Sequence, residues 1–173
     1  SLHNDVDTIK AVLEHQGLSH LHLYVGALDG DEGKRLSGLI ASEGWTITST
    51  MVGFPQEDYS TLDRIRETGG VVPDAEWPAN RERLVQAIAA TSALGVPYLS
   101  FHAGFLDHTD AAHTAKFEAR IRDVADVAAA QGVMLLMETG QEAAADLRQF
   151  MESLAHPALG INCDPANMIL YDK

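Results

Sequence analysis

The sequence predicts an α/β protein, a (β/α)8 TIM barrel present in part, and three observations predict it. Helical stretches with an apolar stripe alternate with short, near-continuous apolar runs, the pattern of parallel strands covered on their faces. Polar or reactive residues (Tyr24, Thr50, His102, Glu138, Asp164) stand where these runs end. That end is where barrel enzymes gather their active sites. The same alternation permits an open doubly wound sheet. No glycine-rich phosphate loop follows any strand, which counts against a nucleotide-binding sheet of that kind.

The elements follow in order. Val6, Ile9 and Leu13 have helical spacing, Gly17 follows, and residues 21–25 (LHLYV) form the first strand. Leu36, Leu39 and Ile40 lead through Gly44 to a second strand at 45–51. A helix capped by Asn80 carries Leu84, Val85 and Ile88 and leads through Gly95 to 96–101. Phe117, Ile121, Val124 and Ala128 precede Gly132 and the strand 133–138 (VMLLME). Ala144, Leu147, Met151 and Leu154 precede the last strand, 159–164 (LGINCD). The glycines supply the left-handed conformation that ends a helix. An eight-stranded barrel takes about 250 residues, and this chain has 173. It therefore reads as one barrel domain, 1–173, incomplete at both ends: strands two to six, with one strand expected before residue 1 and two after Lys173.

One connection is long. Residues 53–78 hold Phe54-Pro55, a short helical piece around Leu62 and Ile65, Gly69-Gly70, and Trp77-Pro78. A connection of this length is usually functional or disordered. Its Phe, Tyr and Trp predict an ordered lid over the strand ends.

Composition narrows the function. The net charge of −13 disfavours nucleic acid, because phosphate binding needs clustered Lys and Arg. No apolar run approaches the roughly 18–20 residues that span a membrane. The amino end lacks a signal-peptide pattern, and Cys163 is the single cysteine. A cytoplasmic enzyme of small molecules fits these features.

Two carboxylates carry the chemistry. Glu138 and Asp164 each close an apolar run, and neighbouring parallel strands lie about 4.8 Å apart. Two acids at that range are compatible with one hard divalent cation, Mg²⁺ or Mn²⁺. Alternatively, Glu138 hydrogen-bonds the start of a helix over 139–142, and Asp164 caps the turn at Pro165. His102 ends the strand before Glu138 and could orient substrate, move a proton or bind metal. Asn167 could bond a ligand hydroxyl or close its own turn. Trp45 begins its strand, so packing at the opposite end is expected. Cys163 alternates with Asp164 and is expected to face the helices.

The segments 101–104 (FHAG), 135–138 (LLME) and 160–167 (GINCDPAN), with the 70–78 loop, resemble the xylose isomerase-like barrel superfamily, in particular its sugar phosphate isomerase/epimerase branch. The resemblance implies that Glu138 binds the metal and exchanges a proton beside the substrate carbonyl, through a metal-stabilised enediolate. It implies Asp164 as a second metal ligand and His102 as a histidine of the substrate pocket. The family completes its metal shell with a later histidine and a later glutamate, both beyond Lys173. Zn²⁺ and Co²⁺ are admitted beside Mn²⁺ and Mg²⁺. Related apurinic-site endonucleases carry histidine where this chain has Asn167, which weakens a multi-zinc nuclease reading. The expected activity is isomerisation or epimerisation of a small sugar or hydroxy-carbonyl compound. A dehydratase of a keto-polyol and a non-catalytic sugar-binding barrel are the alternatives. Exposed helices of such barrels often pair, which admits a homo-oligomer.

Overall fold

A computed structural model describes residues 6–26 and 30–171. Five parallel strands form one sheet: β1 (His20–Tyr24), β2 (Thr46–Val52), β3 (Tyr98–Phe101), β4 (Met134–Glu138) and β5 (Leu159–Asn162). Their spatial order is their chain order, β1-β2-β3-β4-β5. A doubly wound sheet reverses its order at a switch point; this one winds in a single direction, as a barrel does. The sheet is the partial (β/α)8 arrangement that the alternation predicts.

Helices α1 (Val6–Gln16), α2 (Gly30–Glu43), α4 (Trp77–Ala93), α5 (Ala111–Ala130) and α6 (Ala144–Leu154) each precede a strand. The short α3 (Leu62–Thr68) lies in the long connection, and α7 (Pro165–Leu170) follows β5. Gly95 and Gly132 adopt φ of 69° and 70°, ending α4 and α5 as expected. Among the described residues no helix is long and apolar enough to cross a membrane.

Strand alternation sorts the core. Leu99, Phe101, Leu135 and Met137 pack with Leu84 and Ile88 of α4 and Ile121 and Val124 of α5 in one apolar cluster. Each such side chain contributes about 1.5–3 kcal/mol when fully buried. A second cluster joins Val6, Ile9, Leu13, Leu23 and Leu36, with Trp45 packed against it. Trp45 thus packs where the sequence places it.

Three expectations change. The helix after the long connection begins at Trp77, with Pro78 in its first turn. Asn80 is therefore inside the helix, and its buried amide donates to the Gly70 carbonyl instead of capping. Proline favours the first helical turn because its missing N–H would be unsatisfied there anyway. Thr50 lies within β2, not at its end. In β2 Ile47 and Ser49 pair with consecutive β1 residues, so Thr48 is an extra residue that bulges the strand. Beyond the bulge the Thr50 hydroxyl meets Thr91 of α4 at 2.7 Å. Cys163 follows β5 and is exposed.

Candidate active site

The C-terminal strand ends bring the sequence-predicted residues to one place. Glu138 is the last residue of β4 and pairs in register with Asn162 of β5. Asp164 stands two residues past the end of β5, and His102 directly follows β3. Thr139 buttons the two acidic ends together. Its hydroxyl accepts from the Asp164 N–H at 2.8 Å, and its own N–H donates to the Asn162 carbonyl at 3.0 Å.

Glu138 does not cap a helix. The helix after β4 begins at Ala144, and residues 139–143 form a loop. The Glu138 side chain is half-buried, and Asn167 donates to its Oε1 at 3.3 Å. The same Asn167 amide donates to the Thr139 carbonyl at 3.0 Å. Burial pushes the Glu138 carboxyl above its ordinary range, and the Asp164 carboxylate adds to the rise. His102 and His22 oppose it and Glu57 adds a little. Asp164 does cap: its Oδ1 accepts from the N–H groups of Ala166 and Asn167 at 2.8 and 3.3 Å. This cap fixes the direction of the carboxylate.

His102 is tied to the long connection, which is ordered. Glu57 Oε1 lies 2.8 Å from His102 Nδ1. Glu57 also accepts from the N–H of Gly70 at 3.1 Å and of Phe54 at 3.2 Å. Val71 N–H donates to the Ala103 carbonyl at 2.9 Å, zipping the connection to the end of β3. Gly70 has φ 58°, and a Cβ there would lie 2.2 Å from the Ala103 carbonyl. That approach requires glycine. The Arg66 guanidinium of α3 donates to Gln141 and stacks on the Phe105 ring, joining α3 to the loops after β4 and β3.

Two phenols flank the acids. Tyr59 packs its ring 6.1 Å from the His102 ring. Its hydroxyl is pushed well above the usual range by burial first, then by the carboxylates of Glu57 and Glu138. Tyr171 shifts the same way through burial and Glu138. Both phenols therefore stay protonated and can donate. His22 of β1 meets Ser100 Oγ and the Thr50 carbonyl, each at 3.0 Å.

Sequence reading missed Glu57 and Tyr59. They stand in a connection without periodicity, 45 and 43 residues before His102 in the chain, and no spacing links them. The aromatic content of the connection was the only signal there.

The donor set fits a hard cation in part. A carboxylate whose proton affinity is raised by a neighbouring carboxylate, as Glu138 is by Asp164, is relieved by a positive charge, and Mg²⁺ and Mn²⁺ prefer oxygen. Among the described residues no group of three or more His, Cys, Asp or Glu is placed to hold a metal ion. Glu138 and Asp164 by themselves could supply only part of a metal's donor shell.

Comparison with known proteins gives the setting. A xylose isomerase domain protein from Planctomyces limnophilus superposes with a TM-score of 0.84 at 25% identity, over 92% of this chain and 59% of its own. A xylose isomerase-like TIM-barrel protein from Mycobacterium smegmatis, solved in complex with magnesium, gives 0.69 at 17% identity, over 91% and 55%. D-allulose 3-epimerase from a Methylomonas species, solved with D-allulose, gives 0.69 at 15% identity, over 94% and 57%. The chain thus spans between one half and three fifths of the length of these solved relatives. No curated protein matches it in sequence. The family profile described as xylose isomerase-like TIM barrel matches residues 7–173, so the chain belongs to the xylose isomerase-like TIM-barrel family.

Proposed function

We propose that this protein is a divalent-metal-dependent isomerase or epimerase of a small sugar or related hydroxy-carbonyl compound, in the sugar isomerase/epimerase branch of its family. One observation carries the reading. Glu138 ends its strand facing Asp164, with its proton affinity raised by burial and by that second carboxylate. A carboxylate so raised is a stronger base than an exposed one and is better suited to take a proton. The name of the Methylomonas relative, a ketose epimerase, supports the substrate class.

Glu138 and Asp164 would hold the metal. When bound, a divalent cation supplies electrophilic stabilisation of the negative charge that grows on a carbonyl oxygen as the adjacent C–H bond breaks. Glu138 takes the proton from that carbon. Asn167 orients the Glu138 carboxylate through its Oε1. Asp164 is aimed by its two backbone donors. His102 and the Tyr59 hydroxyl offer hydrogen bonds to substrate oxygens from the β3 side. The connection carrying Glu57 and Tyr59 limits water access. The lone cysteine suits a reducing cytoplasm.

The test is exchange in D₂O. The protein, supplied with Mn²⁺, is incubated with a panel of ketoses and aldoses and followed by NMR. Deuterium is expected at a carbon next to the carbonyl, with an epimer or isomer of unchanged mass apart from the label. Glu138→Gln should lower the rate by about 100-fold or more, the scale of a lost acid–base group. Loss of water from the product would move the reaction to a dehydratase. Full exchange in Glu138→Gln would overturn the assignment of the base.

A further inference from the structure

We propose that Glu57 is a positioning residue that holds the His102 imidazole in the tautomer with its proton on Nδ1 and presents Nε2 as a hydrogen-bond acceptor at the strand ends. The inference deepens the reading above and rests on it only for its activity measurement.

Glu57 is nearly enclosed: its side chain is only 6% exposed. Oε1 accepts from the Gly70 N–H at 3.1 Å and Oε2 from the Phe54 N–H at 3.2 Å. A carboxyl group whose two oxygens both accept from main-chain N–H groups is used there as an acceptor. The proton in the 2.8 Å contact between Oε1 and His102 Nδ1 therefore belongs to the histidine. In a neutral imidazole that leaves Nε2 as the acceptor.

The ring is fixed on three sides. Beyond the carboxylate, a Cβ on Gly69 would lie 2.6 Å from His102 Cε1, so the ring seats directly on the Gly69 backbone. The Tyr59 ring tilts against it at 45°, centroids 6.1 Å apart. Rotation of the ring by a half-turn would place carbon against the Glu57 carboxylate and forfeit this buried hydrogen bond, which is costly. Among the described residues Nε2 makes no hydrogen bond, and the side chain is 24% exposed. His102 also acts electrostatically on Glu138. The result is a bare acceptor nitrogen, rigidly held near the base, suited to receive a substrate hydroxyl. Glu57 comes from the β2–α4 connection and His102 from β3, so closure of that connection and presentation of Nε2 are one event.

The test needs no variant to begin. Long-range ¹H–¹⁵N spectra of the histidine-labelled protein report which ring nitrogen carries the proton, with His102→Asn used to assign the signal. A neutral imidazole protonated on Nδ1 is expected at neutral pH. A proton on Nε2 alone, or on both nitrogens, would overturn the proposal. Glu57→Gln offers one carbonyl oxygen where the site needs two acceptor atoms, so a shift of His102 towards the Nε2–H form is expected. In the exchange assay Glu57→Gln should lower kcat roughly tenfold or more, as for other carboxylates that orient a site histidine. In the His102→Asn background it should add no further loss. An equal loss in both backgrounds would show that Glu57 acts otherwise and would also overturn the proposal. If no sugar is turned over at all, the functional reading fails while the tautomer measurement still decides the role of Glu57.

Discussion

Glu57 and Glu138 lie at the same end of the same sheet, and the fold treats them in opposite ways. Glu57, beside β3, is buried with two backbone N–H groups and an imidazole around it. Glu138, beside β5, is half-buried with one amide donor and a second carboxylate facing it. An acid whose lone pairs the fold fills is part of the framework, and removing it leaves donors stranded. An acid left in repulsion with its neighbour weakens the fold, and under the proposed function a bound cation would relieve it. The β3 side of the site is thus built to hold a shape, and the β4–β5 side is built to hold a charge.

That contrast can be broken by mutation, beginning with the largest effect on stability. Gly70→Ala should cost about 2–5 kcal/mol in urea unfolding, combining a left-handed φ with a clash on the Ala103 backbone. A stable Gly70→Ala protein with His102 unmoved would mean the β3 side is not rigid. Glu57→Gln should cost about 1–3 kcal/mol, because at least one buried donor loses its acceptor. Asp164→Ala should cost about 1 kcal/mol through the lost cap. Asp164→Asn should keep the cap and leave stability nearly unchanged, while weakening Mn²⁺ binding measured by calorimetry.

The smallest effect has the opposite sign. Glu138→Gln should leave the urea midpoint at neutral pH equal to wild type or slightly above it, since it removes a repelled charge. The pH dependence follows from the raised pKa. The folded protein binds the Glu138 proton more tightly than the unfolded chain, whose value is about 4.5. The stabilisation this brings is fully present below that value and is lost as pH rises through the folded pKa. The advantage of Glu138→Gln over wild type should therefore grow across that rise and vanish below it. Adding Mn²⁺ should raise the midpoint of wild type and not of the variant, because only a folded state that binds metal is stabilised by it. A fall in stability for Glu138→Gln in metal-free buffer would show that Glu138 belongs to the framework after all.

Much of this was legible in the residues. Leu99, Phe101, Leu135 and Met137 alternate with Ser100, Leu136 and Glu138, so period alone separates the helix-facing side of each strand from the other. Gly95 and Gly132 mark helix ends because few other residues adopt their conformation. The acid closing each of two runs, Glu138 and Asp164, needed only the rule that barrel sites lie past the strands. Local signals failed where two choices were locally equal. Asn80 is a good cap and an acceptable first-turn residue, and Trp77-Pro78 upstream decided the matter. Thr50 seemed terminal because a one-residue bulge at Thr48 leaves no mark in the composition.

The sequence by itself determined the alternation of elements and the two acids at the strand ends, while the single direction in which the strands wind was read from their order in the sheet. The alternation and the acids depend on periodicity and on residues a few positions apart, which a chain carries along its length. Only the tertiary structure decided which groups satisfy those acids. Glu57 reaches His102 across 45 residues of chain, Asn167 reaches Glu138 across 29, and Thr139 clasps Asp164 across 25. Hydrogen bonds act over about 3 Å of space regardless of distance along the chain. Until the sheet fixes its register, no pattern in the residues says which donors and acceptors will meet.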